Sequence, residues 1–416
     1  MSAVSAKGED RARAKYEILH EEFGEKGIDL DAAKEALKAF ELEVPSWVFG
    51  PFGGGRFGAY LPPAPAPDSR AKVRDAAFVH RLTGAAPRVA IHVGWDKPEG
   101  VAFEQVRSDH FAELKAYAKE QGIDLGAVNP TLFLEGTHFG SLGSPVKAVR
   151  RRLIEHCITC CEIAEAHAQG LVTYWLPDGS SYPGQIDLWS QERLVREALA
   201  EIYQAASERV VHLIEYKLFE PGTYSTTICD WGASLEIARS MGERAGVLVD
   251  MGHHAWGVNV AQIVARLIGM GVRAGFHFNS RYSADDDHAV EPNIAMYAIF
   301  CELVQGDAVV ASDPGRNWPY MIDQCSSIEN RIHAVLHTID SLQLSLAKAL
   351  VLDRRRLAEA QGAQDLIVAN RIFLDAFLTD VRPVVQMARL EKGLPLDPVR
   401  AYDDSGYQRQ IERERA

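Results

Sequence analysis

Nowhere among the 416 residues does an uncharged apolar stretch run long enough to cross a bilayer, and the opening MSAVSAKGEDRARAKYE lacks the apolar centre of a secretory leader. Both absences predict a cytoplasmic protein with no membrane partner. Clustered Lys and Arg are missing too: 44 basic residues face 57 acidic ones, a formal net charge of -13. A surface that neutralises phosphate needs the opposite balance, which argues against nucleic acid as a partner. The short run Arg150-Arg151-Arg152 falls within a helical pattern and reads as a solvated face. Cys157, Cys160 and Cys161 sit together in LIEHCITCCEIAEAHA, but the second Cys pair that a structural zinc site needs is absent. They read as buried helix thiols. No Gly-x-Gly-x-x-Gly follows the first strand candidate and opens a helix, which weakens a dinucleotide-binding reading.

What is present is a regular alternation. Two amphipathic segments, Asp10 to Phe23 and Leu30 to Glu41, predict an N-terminal helical arm over residues 1–44. PSWVF (Pro45 to Phe49) reads as the first strand, followed by the Gly- and Pro-rich GPFGGGRFGAYLPPAPAP. That stretch predicts a mobile loop over 50–67, a lid or an arm toward a neighbouring subunit, carrying Arg56, Phe57 and Tyr60. Seven further apolar runs follow with helical segments between them: RVAIHVGW, GAVNPTLF, LVTYWL, VVHLIEYKL, AGVLVDM, RAGFHF and WPYMIDQC. Short, nearly continuous apolar runs suit strands buried on both faces. Eight such units predict an α/β protein with a (β/α)8 TIM barrel over residues 45–325. The charged helical remainder, 326–416, exceeds what closes a barrel and predicts an extension for subunit packing.

Chemistry-bearing residues recur where these runs end. They are Glu215 and Lys217 in HLIEYK, Asp250 and His253 in VLVDMGHH, His277 in GFHF, Asp285 and Asp287 in SADDDH, and Asp323 in YMIDQC. The carboxyl ends of parallel barrel strands converge on one pocket. A single acidic residue there is commonly a loop cap, and a single His commonly a core residue. Three carboxylates inside consecutive apolar strands are costly to bury without a partner, and a shared cation is the economical one. Carboxylates with imidazoles suit Mn²⁺, Co²⁺ or Mg²⁺. Glu215, Asp250, His277 and Asp323 would form one cage; His253, Asp285 and Asp287, with Asp250 bridging, a second. Two ions can clamp adjacent oxygens of a polyol. Lys217, two residues from Glu215, points the same way and is expected to bind a substrate oxygen, with a salt bridge to a ligand carboxylate as the alternative. His92, Trp95 and Trp175 suit the apolar face of a sugar, or else pack the core.

Read together, Glu215-x-Lys217, Asp250-x-x-His253, Asp285-x-Asp287 and the final-strand Asp323 resemble the xylose-isomerase-like barrels. Histidine at 277, where xylose isomerases proper usually have an acidic residue, is more similar to the L-rhamnose isomerases of the broad-specificity bacterial type. The resemblance implies a homotetramer with two divalent ions per subunit, Mn²⁺ preferred, interconverting L-rhamnose and L-rhamnulose and accepting aldoses such as D-allose. It implies the two cages above, catalytic roles for Asp323, Lys217 and His253, and substrate contacts from His92, Trp95, Trp175, Lys217 and Phe57. Hydride transfer between C1 and C2 and proton transfer through an enediol both remain open. A ketose 3-epimerase on the same scaffold is the alternative; it needs one cation, so the second ligand set counts against it. A DNA-repair endonuclease is disfavoured by the acidic charge, and a purely assembling barrel by the number of buried carboxylates.

Overall fold

The structure is a computed structural model that describes residues 3–51, 63–220, 224–280, 288–325 and 329–416. The strands β1 (Glu43–Pro45), β2 (Arg88–His92), β3 (Asp124–Asn129), β4 (Leu171–Tyr174), β5 (Val211–Glu215), β6 (Ala245–Asp250), β7 (Ala274–Phe278) and β8 (Tyr320–Ile322) run parallel in chain order, and β8 pairs back onto β1 to close the barrel. Every residue of β6 and of β7 is buried, as the unbroken apolar runs require. Five of the helices between strands start where a short polar side chain caps them. Asp68, Asp187, Asp230, Asn259 and Asn293 each accept a backbone N–H from the first turn of the helix that follows.

The lower barrel is a packed apolar layer of Ala90, Ala127, Leu171, Leu213, Leu248 and Met321. Polar side chains therefore concentrate at the carboxyl ends of the strands, and the barrel is closed below them. One exception is Glu43 at the start of β1, which accepts the Ala127 N–H at 2.6 Å. Its carboxyl is pushed up in pKa by burial, and it fits only because residue 126 is glycine: a Cβ there would lie 2.0 Å from Glu43 Oε2.

One expectation needs correction, and two elements were not anticipated. PSWVF is not the first strand; β1 ends at Pro45, and Trp47–Phe49 forms a 3-10 turn. The strand stops because Ser46 Oγ is captured by the buried Asp96 carboxylate at 2.5 Å, while Arg331 Nη1 donates to the Val48 and Gly50 carbonyls. The helix Ser69–Thr83, between β1 and β2, was not anticipated although Asp68 caps its start and Gly84, at φ 61°, its end. A small antiparallel sheet of Gly179–Ser180, Tyr224–Thr226 and Phe219–Glu220 also rises above β4 and β5, its strands too short to show a period. Within the expected loop, Arg56, Phe57 and Tyr60 lie outside the described residues.

After β8 the helix Arg331–Leu350 packs against Ile294–Gln305 and Ser69–Thr83, and the helices that follow it lie along the same side. The helices Ala3–Glu25 and Leu30–Ala39 pack on Arg382–Glu391, where Lys34 and Lys38 both pair with Glu391 at 2.8 Å. No single helix among the described residues is long and apolar enough to cross a membrane. The three neighbouring cysteines are buried free thiols.

On the outer face of β5, His212 is fully buried, with Nδ1 2.9 Å from Tyr174 Oη and Nε2 3.3 Å from Arg244 Nη1. Burial, then Arg244, push its pKa down to about 4. Between pH 6.5 and 4 the unfolded chain therefore binds the extra proton, and stability falls as acid is added. Urea unfolding should lose about 2 kcal/mol more between pH 7 and pH 5 in the native protein than in His212→Gln. Equal losses would show that the fold does not force this imidazole neutral.

Candidate active site

Parallel register assembles the site. His277 on β7 stands opposite Asp250 at the end of β6, Glu215 ends β5, and Asp323 follows β8, its N–H bonded to the Phe278 carbonyl at 3.0 Å. His277 Nδ1 lies 3.2 Å from Glu215 Oε1, 3.5 Å from Asp323 Oδ2 and 3.7 Å from Asp250 Oδ2. His253 packs beside this group: its Nδ1–H donates to the Tyr216 carbonyl at 2.9 Å and lies 3.3 Å from Glu215 Oε1. That bond fixes the tautomer and leaves Nε2 as the lone-pair nitrogen.

Supporting bonds hold each carboxylate in place. Asp250 accepts the Gly252 N–H at 2.7 Å and the Asn279 amide at 3.1 Å, and Asp323 accepts the Trp47 indole N–H at 3.1 Å. Burial alone would raise Glu215, but His277, then His253 and Lys217, hold its pKa below the usual range. Burial raises Asp250 to about 6 and also lifts Asp323. His277 shows the reverse balance: burial opposes its charge, yet Glu215, Asp323 and Asp250 raise it to about 9.

These four residues fit a cation. One ligand atom from each of Glu215, Asp250, His277 and Asp323 lies within 4.8 Å of the others. Around an ion with ligands at roughly 2.0–2.2 Å, neighbouring donors sit roughly 3–3.5 Å apart, the spacing His277 already keeps with Glu215 and Asp323. Among the described residues it is the one such group of His, Cys, Asp and Glu, and it contains no thiol. Of the expected second set, Asp250 and His253 are close together, with His253 Nδ1 3.8 Å from Asp250 Oδ1; Asp285 and Asp287 lie outside the described residues.

Glu215, His277 and Asp323 of this group, with His253, line a cavity of about 210 Å³. That is below the roughly 300–1,000 Å³ of clefts for drug-sized ligands, and suits a small polar molecule. Its walls are aromatic. His92 stacks on Trp95 with centroids 3.8 Å apart, and Phe133 sets its edge 5.4 Å from both Trp95 and Trp175. Lys217 Nζ reaches in from β5, 5.1 Å over the Trp175 ring, and donates to Glu220 Oε2 at 2.6 Å. Among the described residues it thus forms a salt bridge with Glu220 of the small sheet. The structure so brings His92, Trp95, Trp175, Lys217 and His253 around the four-residue group, while Phe57 is outside the described residues. Trp47, Phe133, Asn129, Thr173, Asn279 and Glu220 also surround the site and were not anticipated. Asn279, two residues beyond His277 on the same face, was legible; Trp47 was hidden by the misplaced first strand. A larger cleft of about 710 Å³ opens at the opposite end of the barrel, near Arg239, Arg273 and Arg316, away from this group.

The profile of the L-rhamnose isomerase (RhaA) family matches residues 11–377. The chain belongs to the L-rhamnose isomerase family. It is therefore a sugar isomerase by family. It is 34% identical over 424 residues to a probable sugar isomerase of Rhizobium meliloti (strain 1021), covering 100% of this chain and 95% of that protein. It is 26% identical over 366 residues to the L-rhamnose isomerase of Lactiplantibacillus plantarum, covering 82% of each. Among solved structures, an L-ribulose 3-epimerase superposes with a TM-score of 0.54 at 14% identity, over 77% of this chain and 98% of that one. A xylose isomerase-like TIM barrel protein from Mycobacterium smegmatis gives 0.51 at 10% identity, over 76% and 99%. At such identity these two structures bear on the fold alone.

A cation entering the group of this L-rhamnose isomerase family member must displace the proton that His277 carries near neutrality. Titration with Mn²⁺ at pH 7 should release about one proton per ion bound at this site, read as a dependence of the calorimetric heat on the buffer's ionisation enthalpy. In His277→Gln the release should disappear and affinity should fall. Buffer-independent heats in the native protein would contradict the protonated state.

Proposed function

We propose that this family member interconverts L-rhamnose and L-rhamnulose and accepts other aldoses such as D-allose. The observation that carries the reading is a cation-competent acidic group sharing one small cavity with an ammonium and a wall of aromatic rings. Two divalent cations are proposed, Mn²⁺ ahead of Co²⁺ or Mg²⁺, one with Glu215, Asp250, His277 and Asp323 and one with Asp250, His253, Asp285 and Asp287. When bound they would polarise neighbouring sugar oxygens.

The chain's own residues supply the remaining steps. Trp95, Phe133 and Trp175 cover the apolar face of the sugar and exclude water from it. Lys217, drawn into position by Glu220, donates to the oxygen at C1 as the carbonyl forms or is consumed. Asp323, raised by burial and anchored by Trp47, is placed to take up a proton in the enediol route; in the hydride route it serves as a ligand. His253, with its proton fixed on Nδ1, keeps the Nε2 lone pair for the second cation. Phe57 is proposed to cover the substrate, the C-terminal helices to pack subunits of a homotetramer, and the cytoplasm to be the compartment.

Chelator-stripped protein should be inactive, and added Mn²⁺ should restore ketose formation from L-rhamnose ahead of D-allose, D-ribose and D-xylose. Conversion of ketoses only into their C3 epimers, with every aldose untouched, would replace this reading by a ketose 3-epimerase. Asp323→Asn should lower kcat by about 10²-fold or more with unchanged circular dichroism; full activity would remove Asp323 from the site.

A further inference from the structure

Behind the aromatic wall lies an ordered polar network that ends on one edge of His92. The Asp96 carboxylate accepts the His92 backbone N–H at 2.8 Å, Ser46 Oγ at 2.5 Å and Lys72 Nζ at 2.7 Å. These bonds tie the ends of β1 and β2 to the helix Ser69–Thr83. The imidazole itself is held flat on Trp95, with Trp47 edge-on at 6.1 Å. Its Nδ1 lies 2.7 Å from Thr131 Oγ1, the ring lines the cavity, and Nε2 is the nitrogen that Thr131 does not engage.

Which ring nitrogen carries the proton follows from the hydroxyl of Thr131. Thr131 is 1% exposed and held at both ends: its backbone N–H donates to His156 Nε2 at 2.9 Å, and its Oγ1 accepts the Gly94 N–H at 2.8 Å. A hydroxyl has one hydrogen to give. Among the described residues, the acceptor within reach of that hydrogen is His92 Nδ1. Were Nδ1 protonated, Oγ1 would receive two donors and its own hydrogen would be buried without an acceptor, a cost that native structures avoid. The opposite tautomer satisfies both the Thr131 hydroxyl and His92 Nδ1.

We infer that Thr131 is a positioning residue that fixes His92 as an Nε2–H donor aimed into the cavity, so that His92 binds a ring or hydroxyl oxygen of the sugar and is not a base in the reaction. The sugar acceptor rests on the function proposed above; the tautomer does not. Burial, then the neighbouring His156 and Lys72, keep the ring neutral by pushing its pKa well down. A neutral Nε2–H donates without bringing a second positive charge beside Lys72.

The test joins a spectroscopic readout to a kinetic one. In protein labelled with ¹⁵N-histidine, the His92 signals, assigned by their loss in His92→Gln, should show a pyridine-type Nδ1 and a pyrrole-type Nε2 without any sugar present. Thr131→Val should mix or invert that pattern and raise KM for the aldose about tenfold, the ordinary worth of one hydrogen bond, with kcat nearly unchanged. Thr131→Ser, which keeps the hydroxyl, should restore both. A pyrrole-type Nδ1 in the native protein, an unchanged KM in the Val variant, or a Ser variant as impaired as the Val variant would overturn the inference. If no sugar is turned over, the proposed function fails while the nitrogen signals still decide the tautomer.

Discussion

Glu215, Asp250 and Asp323 end neighbouring or near-neighbouring strands of one closed barrel, and all three carboxylates stand within 4 Å of a single imidazole nitrogen, Nδ1 of His277. Without a positive charge at that point, like-charge repulsion in a low-dielectric interior would force protons onto the carboxylates. His277 supplies the charge by keeping its proton well above the usual range. A cation can replace it at the same centre. Much of the surrounding architecture serves this compact charge group: parallel register sets His277 opposite Asp250, Asn279 and Gly252 clamp Asp250, and the apolar lower layer closes the barrel beneath it.

The same constraint explains what could be read from the chain. A carboxylate inside HLIEYK, VLVDMG or YMIDQC breaks an otherwise apolar run, so the sequence shows the cost of burial directly. Parallel neighbours then converge whatever the exact strand limits. The three-residue β1 was misread because PSWVF has the composition of a strand while its fate was decided elsewhere. Ser46 bonds to Asp96 and Val48 to Arg331, fifty and 283 residues away in sequence. Thr131 carries no local signal either, since its role exists only through His92 and His156 on other elements. Residues that act through periodicity were legible; residues that act through one distant hydrogen bond were not.

Trp47 shows how far such distant bonds extend the site. Its indole N–H satisfies Asp323, and Trp47 stands on a single 3-10 turn. Arg331, at the start of the long helix after β8, donates at 3.1 Å to Val48 and at 2.6 Å to Gly50, taking up the carbonyls that end the turn. On the other side of the Gly-rich stretch, Ala66 N–H returns to the Phe49 carbonyl at 2.7 Å, and Arg415 binds the Ala64 carbonyl while making a two-pronged pair with the buried Asp75. Tyr407 adds a bond to Asp75 at 2.7 Å. Guanidinium groups suit this work because their fixed fork can hold two oxygens at once. The helices beyond the barrel are therefore joined to its chemistry: Arg331 holds the turn, Arg415 holds the segment that returns to it, and the indole carried by the turn bonds to a carboxylate of the charge group.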